Sequence, residues 1–550
     1  MAHTKTLWLA QPNYLFGRNA FLPYSAARLW SYARPRNWEL TKLLPFRLPI
    51  DEALRGDAPD LIGFSCYIWN WRYNMQLARA AKERWPNVVI VCGGPQIPNK
   101  TEGFFDTYPW VDLLIHGEGE TAFHKALDLD FSKVPGASYA KGGETVTTGP
   151  NNRLLDLDSL PSPYLDGTLD ELVSDRRYNW HALQETNRGC PYQCTFCDWG
   201  SATFSTVRQF PLPQLLTEIE WFAEHKIELL YNCDANFGML PRDVDIARKL
   251  IATKRSTGWP QKFRAAYAKK TTDKVFEVGA LLAGAEMSKG VTLSAQSMSK
   301  DVCKIIKRRP IVETEYSDLL RRYSARGVTT YTEIILGLPG ETAESFRAGL
   351  IRLIELGQHD GINVYPLIML TNSEMRDPDY CSTHGLQIKT LPMLLLHGSP
   401  VGDAETYDLV IGTNAMPHED WIESIIYAWL VQGLHCLGLT RPNGDYRAYY
   451  DRLMLVSKDT VLGAALASMR WMLAEVLDGT GTWNIPEPRF GEITWPPEER
   501  LFLRCVVELD RFCAELDIPY PDIVRPEGDL ETWAREIVWY GRKGKLRKAA

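Results

Sequence analysis

Three closely spaced cysteines are the strongest chemical signal in the sequence. Cys190, Cys194 and Cys197 lie in the stretch RGCPYQCTFCDWG, whereas most of the other cysteines stand singly in apolar runs. Thiolates bind soft metals and iron–sulfur clusters. Three thiolates can hold a [4Fe–4S] cluster and leave its fourth iron open to a ligand. Zinc prefers four ligands, and the next candidates, His181 and Cys233, are distant in sequence, so a structural zinc site is the weaker alternative.

The cysteines follow the first of six predicted strands in residues 181–380. Short apolar runs alternate there with segments that carry apolar residues at helical spacing. The strands are predicted at ALQETN, IELLYNCD, FRAAYA, GVTLSAQ, TTYTEIILG and GINVYPLI, and the helices near 213–225, 242–255, 273–284, 314–326 and 342–357. Six strand–helix units are too few for a closed eight-unit barrel. They predict an open, partial barrel with its chemistry at the carboxyl ends of the strands.

Residues 1–150 alternate in the same way but form a separate block. Four short apolar runs, LWLAQP, LIGFSC, VVIVCGG and DLLIHGEGE, predict a doubly wound sheet of parallel strands buried on both faces. Residues 151–180 are rich in Pro, Asp and Asn and are interpreted as a linker. In residues 381–550 the alternation stops, and WIESIIYAWLVQGLHCLGL predicts a mostly helical domain, which we expect to cap the substrate cavity.

The composition is that of a multidomain globular protein. A chain of 550 residues with 45% hydrophobic and 23% charged residues is long enough for several cores. The net charge of −7 argues against nucleic acid or an anionic membrane as a partner. We find neither an apolar run of about 18 residues nor a secretory segment, and the scattered cysteines are typical of reduced thiols. We therefore expect a cytoplasmic protein, and a monomer.

The cysteine stretch resembles the signature of the radical S-adenosylmethionine (SAM) enzymes, C-x3-C-x-aromatic-C, with Phe196 at the aromatic position. The resemblance covers about residues 182–370. It implies that the open iron binds the amino and carboxylate groups of SAM, whose reductive cleavage releases a 5′-deoxyadenosyl radical. It also implies contacts with SAM at the ends of four later strands, through Asp234, Asn236, Ser294, Gln296, Gly337, Gly340, Glu341 and Tyr365.

Three loops at the strand ends of the first sheet are candidate ligand loops. Glycines in them let a large ligand approach the backbone closely, and the absence of G-x-G-x-x-G after the first strand disfavours a dinucleotide. The arrangement resembles the cobalamin-binding domain that precedes many radical SAM methylases. The resemblance implies contacts with cobalamin through Ser65, Tyr67, Trp69, Trp71, Arg72, Gly93, Gly94, Pro95, Gln96, Gly117, Glu118, Gly119 and Glu120.

The sequence departs from many cobalamin proteins at the lower face of the corrin. The D-x-H-x-x-G element that supplies an axial histidine is absent, and His116 is interpreted as a structural residue. The side chains beneath the corrin are then expected to come from Tyr67, Trp69, Trp71 and Arg72. A weak or absent lower ligand should ease the reduction of the cobalt.

Together these resemblances identify the chain as similar to the cobalamin-dependent radical SAM methylases. The implied fold is a Rossmann-like cobalamin-binding domain, a partial (β/α)6 TIM-like barrel and a mostly helical C-terminal domain. The implied cofactors are a [4Fe–4S] cluster, cobalamin and SAM. The implied reaction is C-methylation of an unactivated carbon of a natural-product intermediate, with a small-molecule or amino-acid-derived substrate and an external flavodoxin- or ferredoxin-type reductant. No side chain is singled out as catalytic.

Four alternatives remain at this point. The CDWG stretch resembles methylases of carbapenem intermediates and also the methylase of tryptophan indole C2, which would need no hydrogen abstraction. A cobalamin-dependent radical SAM rearrangement enzyme would use the same cofactors without methyl transfer. An RNA methylthiotransferase would share the three cysteines. A non-catalytic cobalamin-binding sensor would leave them without a purpose.

Overall fold

The computed structural model describes residues 4–199, 205–268, 273–393, 403–442, 444–481, 485–486 and 494–518. The strands are β1 (Lys5–Asn13), β2 (Asn19–Phe21), β3 (Trp38–Phe46), β4 (Leu61–Ser65), β5 (Val89–Gly93), β6 (Leu113–Ile115), β7 (Ala137–Lys141), β8 (Glu144–Thr147), β9 (Asn179–Gln184), β10 (Asn187–Arg188), β11 (Arg208–Gln209), β12 (Leu229–Asn232), β13 (Lys262–Arg264), β14 (Val291–Gln296), β15 (Thr330–Leu336), β16 (Ile362–Pro366), β17 (Gln387–Pro392), β18 (Thr406–Gly412), β19 (Ile485–Pro486) and β20 (Thr494–Trp495). The α-helices are α1 (Tyr24–Ala33), α2 (Ile50–Ala53), α3 (Trp71–Arg84), α4 (Phe104–Thr107), α5 (Gly119–Ala126), α6 (Asp170–Ser174), α7 (Leu212–Glu224), α8 (Asp243–Thr257), α9 (Asp273–Gly284), α10 (Lys300–Ile305), α11 (Glu313–Ser324), α12 (Ala343–Glu355), α13 (Pro378–His384), α14 (His418–Val431), α15 (Tyr446–Met454), α16 (Val461–Asp478), α17 (Pro497–Val507) and α18 (Leu509–Leu516).

The N-terminal sheet has seven strands in the order β3-β1-β4-β5-β6-β7-β8. The first five are parallel, and β7 and β8 continue the sheet antiparallel. Separate apolar clusters cover its two faces, one around α1 and α5 and the other around α3 and α4. The parallel part has the order of a flavodoxin-like sheet, in which ligands bind beyond the carboxyl ends of the strands. The predicted doubly wound sheet is therefore confirmed.

Three strands of this sheet, β3, β7 and β8, were not predicted. The edge strand β3 alternates buried and exposed residues in its first half, so it has no continuous apolar run. The outermost strand β8 is exposed along most of its length, so it also lacks a continuous apolar run. Burial on both faces makes a strand visible in sequence, and edge strands lack it.

The six predicted barrel strands are all present, as β9, β12, β13, β14, β15 and β16. They form two parallel sheets, β13-β12-β9-β2 and β14-β15-β16, and within the described residues no ladder joins β13 to β14. The predicted helices correspond to α7, α8, α9, α11 and α12. The open, partial barrel is thus confirmed.

The first barrel sheet receives its fourth strand from the N-terminal block. β2 pairs in parallel with β9, with Asn19 opposite Asn179 and Phe21 opposite His181. After β1, the chain therefore contributes one strand to the barrel before it completes the seven-stranded N-terminal sheet. The predicted domain boundaries at 150, 180 and 380 stay a prediction.

The C-terminal region is mostly helical, as predicted, but it begins with a hairpin. β17 and β18 are antiparallel, and β18 lies beside the chain that follows β16, where the Met369 N–H donates to the Asp408 carbonyl oxygen at 2.8 Å. One apolar cluster runs from β15, β16 and α12 into α14, α16 and α17, with Trp421 fully buried within it. The part of the predicted domain beyond 518 lies outside the described residues.

A search of the described residues for a helix long and apolar enough to cross a membrane returns none.

Candidate active site

The three cysteines lie in the loop that follows β9 and β10. Cys190 and Cys194 are buried and Cys197 is half-buried. Two side chains from other segments of the barrel approach the thiols. The Asn236 amide donates to the Cys190 sulfur at 3.3 Å, and the Arg308 guanidinium lies 3.9 Å from the Cys194 sulfur. The loop therefore sits at the carboxyl ends of the barrel strands, where the sequence predicted it.

The middle of this loop is fixed to the second barrel sheet. The Thr195 N–H donates to the Ile306 carbonyl oxygen at 3.2 Å, and the Thr195 carbonyl oxygen accepts from the Met375 N–H at 3.1 Å. Phe196 packs against an apolar cluster that contains Val302. The predicted aromatic residue therefore anchors the loop through packing.

Arg308 was missed by the sequence analysis. Its guanidinium donates to the Ala295 carbonyl oxygen at 3.1 Å and also to that of Ser294, at the end of β14. Arg308 is buried, and it lies in the segment after α10 rather than at the end of a strand. Only the tertiary structure brings it to the cluster loop, and the run KRRP that contains it has no distinctive spacing.

Asp234, a predicted SAM contact, is occupied by the chain itself. Its carboxylate accepts from the Thr186 N–H at 2.7 Å, from the Asn187 N–H at 3.1 Å and from the Asn187 amide at 2.8 Å, and it also bonds the Thr186 hydroxyl. Burial raises the pKa of Asp234 to about 7 despite these donors. The side chain braces the segment that leads from β9 to the cysteines.

Three other predicted contacts have a buried acceptor oxygen with no hydrogen-bond partner among the described residues. They are Oδ1 of Asn236, Oε1 of Gln296 and Oε2 of Glu341, at the ends of β12, β14 and β15. The Ser297 hydroxyl donates to the other Glu341 oxygen at 2.7 Å, and burial raises the pKa of Glu341 to about 8. Buried polar atoms are normally paired, so these three oxygens are available to a polar ligand at this edge of the barrel.

The predicted glycines after β15 are required by the backbone. Gly337 and Gly340 have φ of 92° and 79°, in the left-handed region. A Cβ at Gly337 would lie 3.2 Å from the Val410 carbonyl oxygen, and one at Gly340 would lie 2.4 Å from Cδ1 of Ile305. The turn thus packs tightly against α10 and β18.

The barrel interior is polar and contains an unpaired cation. Phe263 of β13 is in the core behind the barrel, so its neighbour Arg264 faces the interior, where it is exposed. The Arg264 guanidinium forms no hydrogen bond or ion pair with any of the described residues. Its charge acts against the rise in pKa that burial causes at tyrosines on two other strands, Tyr231 and Tyr331.

Ser294 and Tyr365, both predicted SAM contacts, line the same interior. The Ser294 hydroxyl donates to the Glu333 carboxylate at 2.6 Å. Tyr365, on the edge strand β16, is 51% exposed. These strands therefore bring one carboxylate, one guanidinium and several phenols to the same side of the barrel wall.

Tyr67 and Trp69, in the loop after β4, form a stacked pair with ring centroids 4.4 Å apart. The Tyr67 hydroxyl lies 2.6 Å from that of Ser25, and the Trp69 indole donates to Asn13 at 3.3 Å. Asn70, which the sequence analysis missed, accepts from the Tyr67 N–H at 2.7 Å and donates to the Ser65 carbonyl oxygen at 3.0 Å. The pair is thus preorganised.

The other two residues predicted beneath the corrin have different surroundings. Trp71 is the first residue of α3 and packs against Phe104 and Tyr108 in the core on one side of the sheet. The Arg72 guanidinium lies 3.6 Å from the carboxylate of Asp403 in the C-terminal region. The structure therefore brings together Tyr67 and Trp69 but not these two.

The loop after β5 is tightly bound to the loop after β4. Gly94 has φ of 109°, and a Cβ there would lie 2.6 Å from the Cys66 carbonyl oxygen. The Cys66 N–H donates to the Gly93 carbonyl oxygen at 2.7 Å, and the Gln96 N–H donates to that of Cys66 at 3.1 Å. Glycine is needed at 94 for this close approach.

The same loop is attached to the barrel by one side chain. Asn372, beyond β16, donates to the Pro95 and Ile97 carbonyl oxygens at 3.1 and 2.9 Å and accepts from the Asn99 N–H at 2.9 Å. This residue was also missed, because nothing local in the sequence distinguishes it.

The two predicted glutamates after β6 form ion pairs with the barrel. Glu120 lies 2.7 Å from Arg188, two residues before the first cysteine, and Arg188 also contacts Glu185 at 2.9 Å. Glu118 pairs with Arg208. The two arginines lie opposite each other in the β10–β11 ladder. The loop after β6 is therefore held against the cysteine loop.

Around these glutamates the loop leaves open space. Gly117 has φ of 74°, and a Cβ there would meet nothing within 4 Å, whereas one at Gly119 would lie 2.9 Å from Cδ2 of Leu29. His116 bonds the Ser138 hydroxyl at 2.9 Å through Nε2, and burial lowers its pKa. The histidine is held by its own sheet, which agrees with its interpretation as a structural residue.

Two sequence models match the chain, and they cover the two cofactor regions. The model of the radical SAM superfamily matches residues 185–350, and that of the B12-binding domain matches residues 38–127. These domains imply a [4Fe–4S] cluster, SAM and cobalamin. The thiols, the three unpaired oxygens, the stacked ring pair after β4 and the open space at Gly117 fit these groups.

Two relatives match over most of the chain. The cobalamin-dependent radical SAM methyltransferase TokK of Streptomyces tokunonensis is 40% identical over 497 residues, which cover 84% of this chain and 73% of TokK. The 2-(S-pantetheinyl)-carbapenam-3-carboxylate methyltransferase of Streptantibioticus cattleyicolor is 41% identical over 498 residues, with the same two shares.

A solved structure has the same fold. The radical SAM methyltransferase TsrM of Kitasatospora setae, with cobalamin and a [4Fe–4S] cluster bound, superposes with a TM-score of 0.57 at 16% identity and covers 82% of this chain and 98% of its own. At this identity the match concerns the fold alone. Given the level and extent of identity to TokK, the chain belongs to the cobalamin-dependent radical SAM methyltransferases.

Proposed function

We propose that this enzyme methylates a carbon of a small natural-product intermediate, with the two cofactor sites opening onto one cavity. The observation that carries the proposal is the pair of ion pairs Glu118–Arg208 and Glu120–Arg188. They hold the cobalamin loop after β6 against the loop of the three cysteines. A methyl relay needs this proximity, because cobalt, SAM and substrate must meet within one water-poor space.

The chain's own residues divide the work around that cavity. Cys190, Cys194 and Cys197 would hold the cluster, and Oδ1 of Asn236 would accept from the ammonium group of SAM. Arg308 would place its positive charge beside the cluster loop. When bound, SAM provides the methyl group, cobalamin relays it, and the cluster provides the electron that cleaves a second SAM.

Arg264 supports a substrate with an anionic group. It is the exposed guanidinium of the barrel interior, and charge-assisted hydrogen bonds to a carboxylate are among the strongest that a protein can offer. The relative from Streptantibioticus cattleyicolor is named for a carboxylate-bearing carbapenam. We therefore propose a carboxylate on the substrate of this enzyme.

Anaerobic reconstitution tests the proposal. Protein loaded with iron, sulfide and hydroxocobalamin is incubated with SAM, a strong reductant and candidate carbapenam-type carboxylates. We expect both S-adenosylhomocysteine and 5′-deoxyadenosine to form with methylated product. S-adenosylhomocysteine without 5′-deoxyadenosine would favour the indole-type methyl transfer, and 5′-deoxyadenosine without S-adenosylhomocysteine would favour a rearrangement.

The RNA methylthiotransferase and the non-catalytic sensor have no comparable support in the site. The flavodoxin- or ferredoxin-type reductant, the cytoplasmic location and the monomeric state stay predictions.

A further inference from the structure

A buried carboxylate from the C-terminal region caps a helix of the cobalamin-binding domain. Glu405 precedes β18, and its side chain is 1% exposed. Its two oxygens accept from the Arg72 N–H at 2.7 Å and from the Tyr73 N–H at 3.0 Å, in the first turn of α3. Asn70, the residue before this helix, makes no capping hydrogen bond of its own. Glu405 therefore satisfies helix-end amides that the local sequence leaves open.

Arg47, at the end of the first sheet's edge strand, completes the arrangement. Its guanidinium forms an ion pair with Glu405 and donates to the Trp69 carbonyl oxygen at 2.9 Å. It also lies over the rings of Tyr14 and Tyr73, at 4.3 and 5.2 Å from their centroids. The Arg47 side chain is only 3% exposed. Burying two charges is costly unless further hydrogen bonds satisfy them, and here at least three do.

Trp69, Arg72 and Tyr73, whose backbones Arg47 and Glu405 bind, lie at or next to the Tyr67–Trp69 ring pair. Arg47 binds the backbone of Trp69, and Glu405 binds the backbone of Arg72 and Tyr73, which follow Trp69 closely along the chain. Trp69 is stacked on Tyr67. The position of the ring pair therefore depends on a carboxylate more than 330 residues further along the chain.

We propose that Glu405 and Arg47 are positioning residues that fix the Tyr67–Trp69 pair against the corrin of bound cobalamin. Through them the C-terminal region sets the surroundings of the cobalt. The inference rests on the proposed function and on the cobalamin contact that the sequence predicts for Tyr67 and Trp69. It goes beyond that function, because neither Glu405 nor Arg47 touches a cofactor in it.

The first test uses the full chain without cobalamin. Amide hydrogen exchange of residues 66–76 is compared between the wild type, Glu405→Ala, Glu405→Gln and the control Glu83→Gln, whose exposed partner Arg79 lies on the same helix. Loss of a helix cap corresponds to an increase in exchange of about 3- to 30-fold at Arg72 and Tyr73. Glu405→Gln, which keeps an acceptor oxygen, should lie between Glu405→Ala and the wild type. Unchanged exchange in Glu405→Ala would overturn the proposal.

The second test uses the protein loaded with cobalamin. We expect Glu405→Ala and Arg47→Met to change the cobalamin absorption spectrum and the Co(II)/Co(I) midpoint potential, with a lower kcat and little change in KM for the substrate. Increased exchange with an unchanged spectrum and potential would make Glu405 a structural cap only and would overturn the inference. If Glu405→Ala does not fold, Glu405→Gln and Arg47→Met decide.

These outcomes are separable from a failure of the proposed function. A wild type that binds no cobalamin would contradict the proposed function as well. A wild type that binds cobalamin and transfers methyl groups, beside variants with a wild-type spectrum, would contradict only the role of Glu405 and Arg47.

Discussion

The loop of the three cysteines and the loops of the cobalamin site are assembled in opposite ways. The cysteines occupy one short loop, and its nearest supports, the Asp234 carboxylate and the Ile306 carbonyl oxygen that accepts from Thr195, come from the same barrel. The cobalamin loops come from three strand ends. Each is held from outside its own domain, by Glu405, Asn372 and the arginines of the β10–β11 ladder. Damage to the cluster should therefore be local, whereas the cobalamin site should be sensitive to distant substitutions.

The largest expected effect is at the cluster. Cys194→Ala should remove bound iron and abolish SAM cleavage, because two thiolates cannot hold the cluster with an open iron. Iron content and 5′-deoxyadenosine formation measure this effect. Cys381→Ser, outside the motif, is the matched control and should retain both. SAM cleavage that survives in Cys194→Ala would contradict the assignment of the three cysteines.

The next effect concerns the contact between the two loops. Arg188→Met leaves the Glu120 carboxylate, whose side chain is 4% exposed, without its partner. Removing one member of a buried pair costs about 3–5 kcal/mol of the free energy of unfolding. Arg79→Met breaks an exposed pair on α3 and should cost about 0–1 kcal/mol. Denaturant unfolding compares the two variants, and similar losses would contradict the bracing role of Arg188.

A smaller, kinetic effect is expected in the barrel interior. Arg264→Gln should raise the KM for a carboxylate-bearing substrate by about 10- to 100-fold, with little change in kcat, since one charge-assisted hydrogen bond is lost. Steady-state kinetics with the substrate and its methyl ester measure this effect. Arg248→Gln, on the outer helix α8, should leave KM unchanged. An equal KM for acid and ester in the wild type would count against a carboxylate contact.

The last expected effect is a pH dependence of stability at Glu341. Burial raises the pKa of this carboxyl to about 8, from an ordinary value of 4.5. The folded state therefore binds the proton more tightly than the unfolded state, and the contribution of Glu341 to stability decreases as pH rises from about 4.5 to 8. Glu341→Gln should gain stability relative to the wild type over this window. Unfolding measured at several pH values tests the trend.

A matched carboxylate gives the opposite sign. The Arg447 guanidinium, through its hydrogen bond, lowers the pKa of Glu344, so Glu344 stabilises the fold above its ordinary pKa. Glu344→Gln should thus lose a little stability relative to the wild type near neutral pH. A Glu341→Gln variant that follows the same trend would contradict the pKa shift of Glu341.

Much of the fold could be predicted because burial leaves a pattern in the sequence. The six barrel strands and their helices show alternating apolar runs, and β4 is apolar throughout because both of its faces are covered. Among the strands that were missed, β3, β7, β8, β17 and β18 are at edges or in hairpins. There one face or one side meets solvent, and the apolar run is interrupted.

The sequence by itself determined the chemistry of the cluster, because three thiols that must hold one cluster can lie close together along the chain. It also placed the candidate ligand residues at strand ends, because parallel strands bring their carboxyl ends to one edge. Only the tertiary structure decided how those residues are used. Asp234, Glu118 and Glu120 turned out to hold the chain together, and Arg308, Asn372 and Glu405 reached the site from distant segments. The physical reason is that hydrogen bonds and ion pairs depend on distance in space, for which separation along the chain carries no signal.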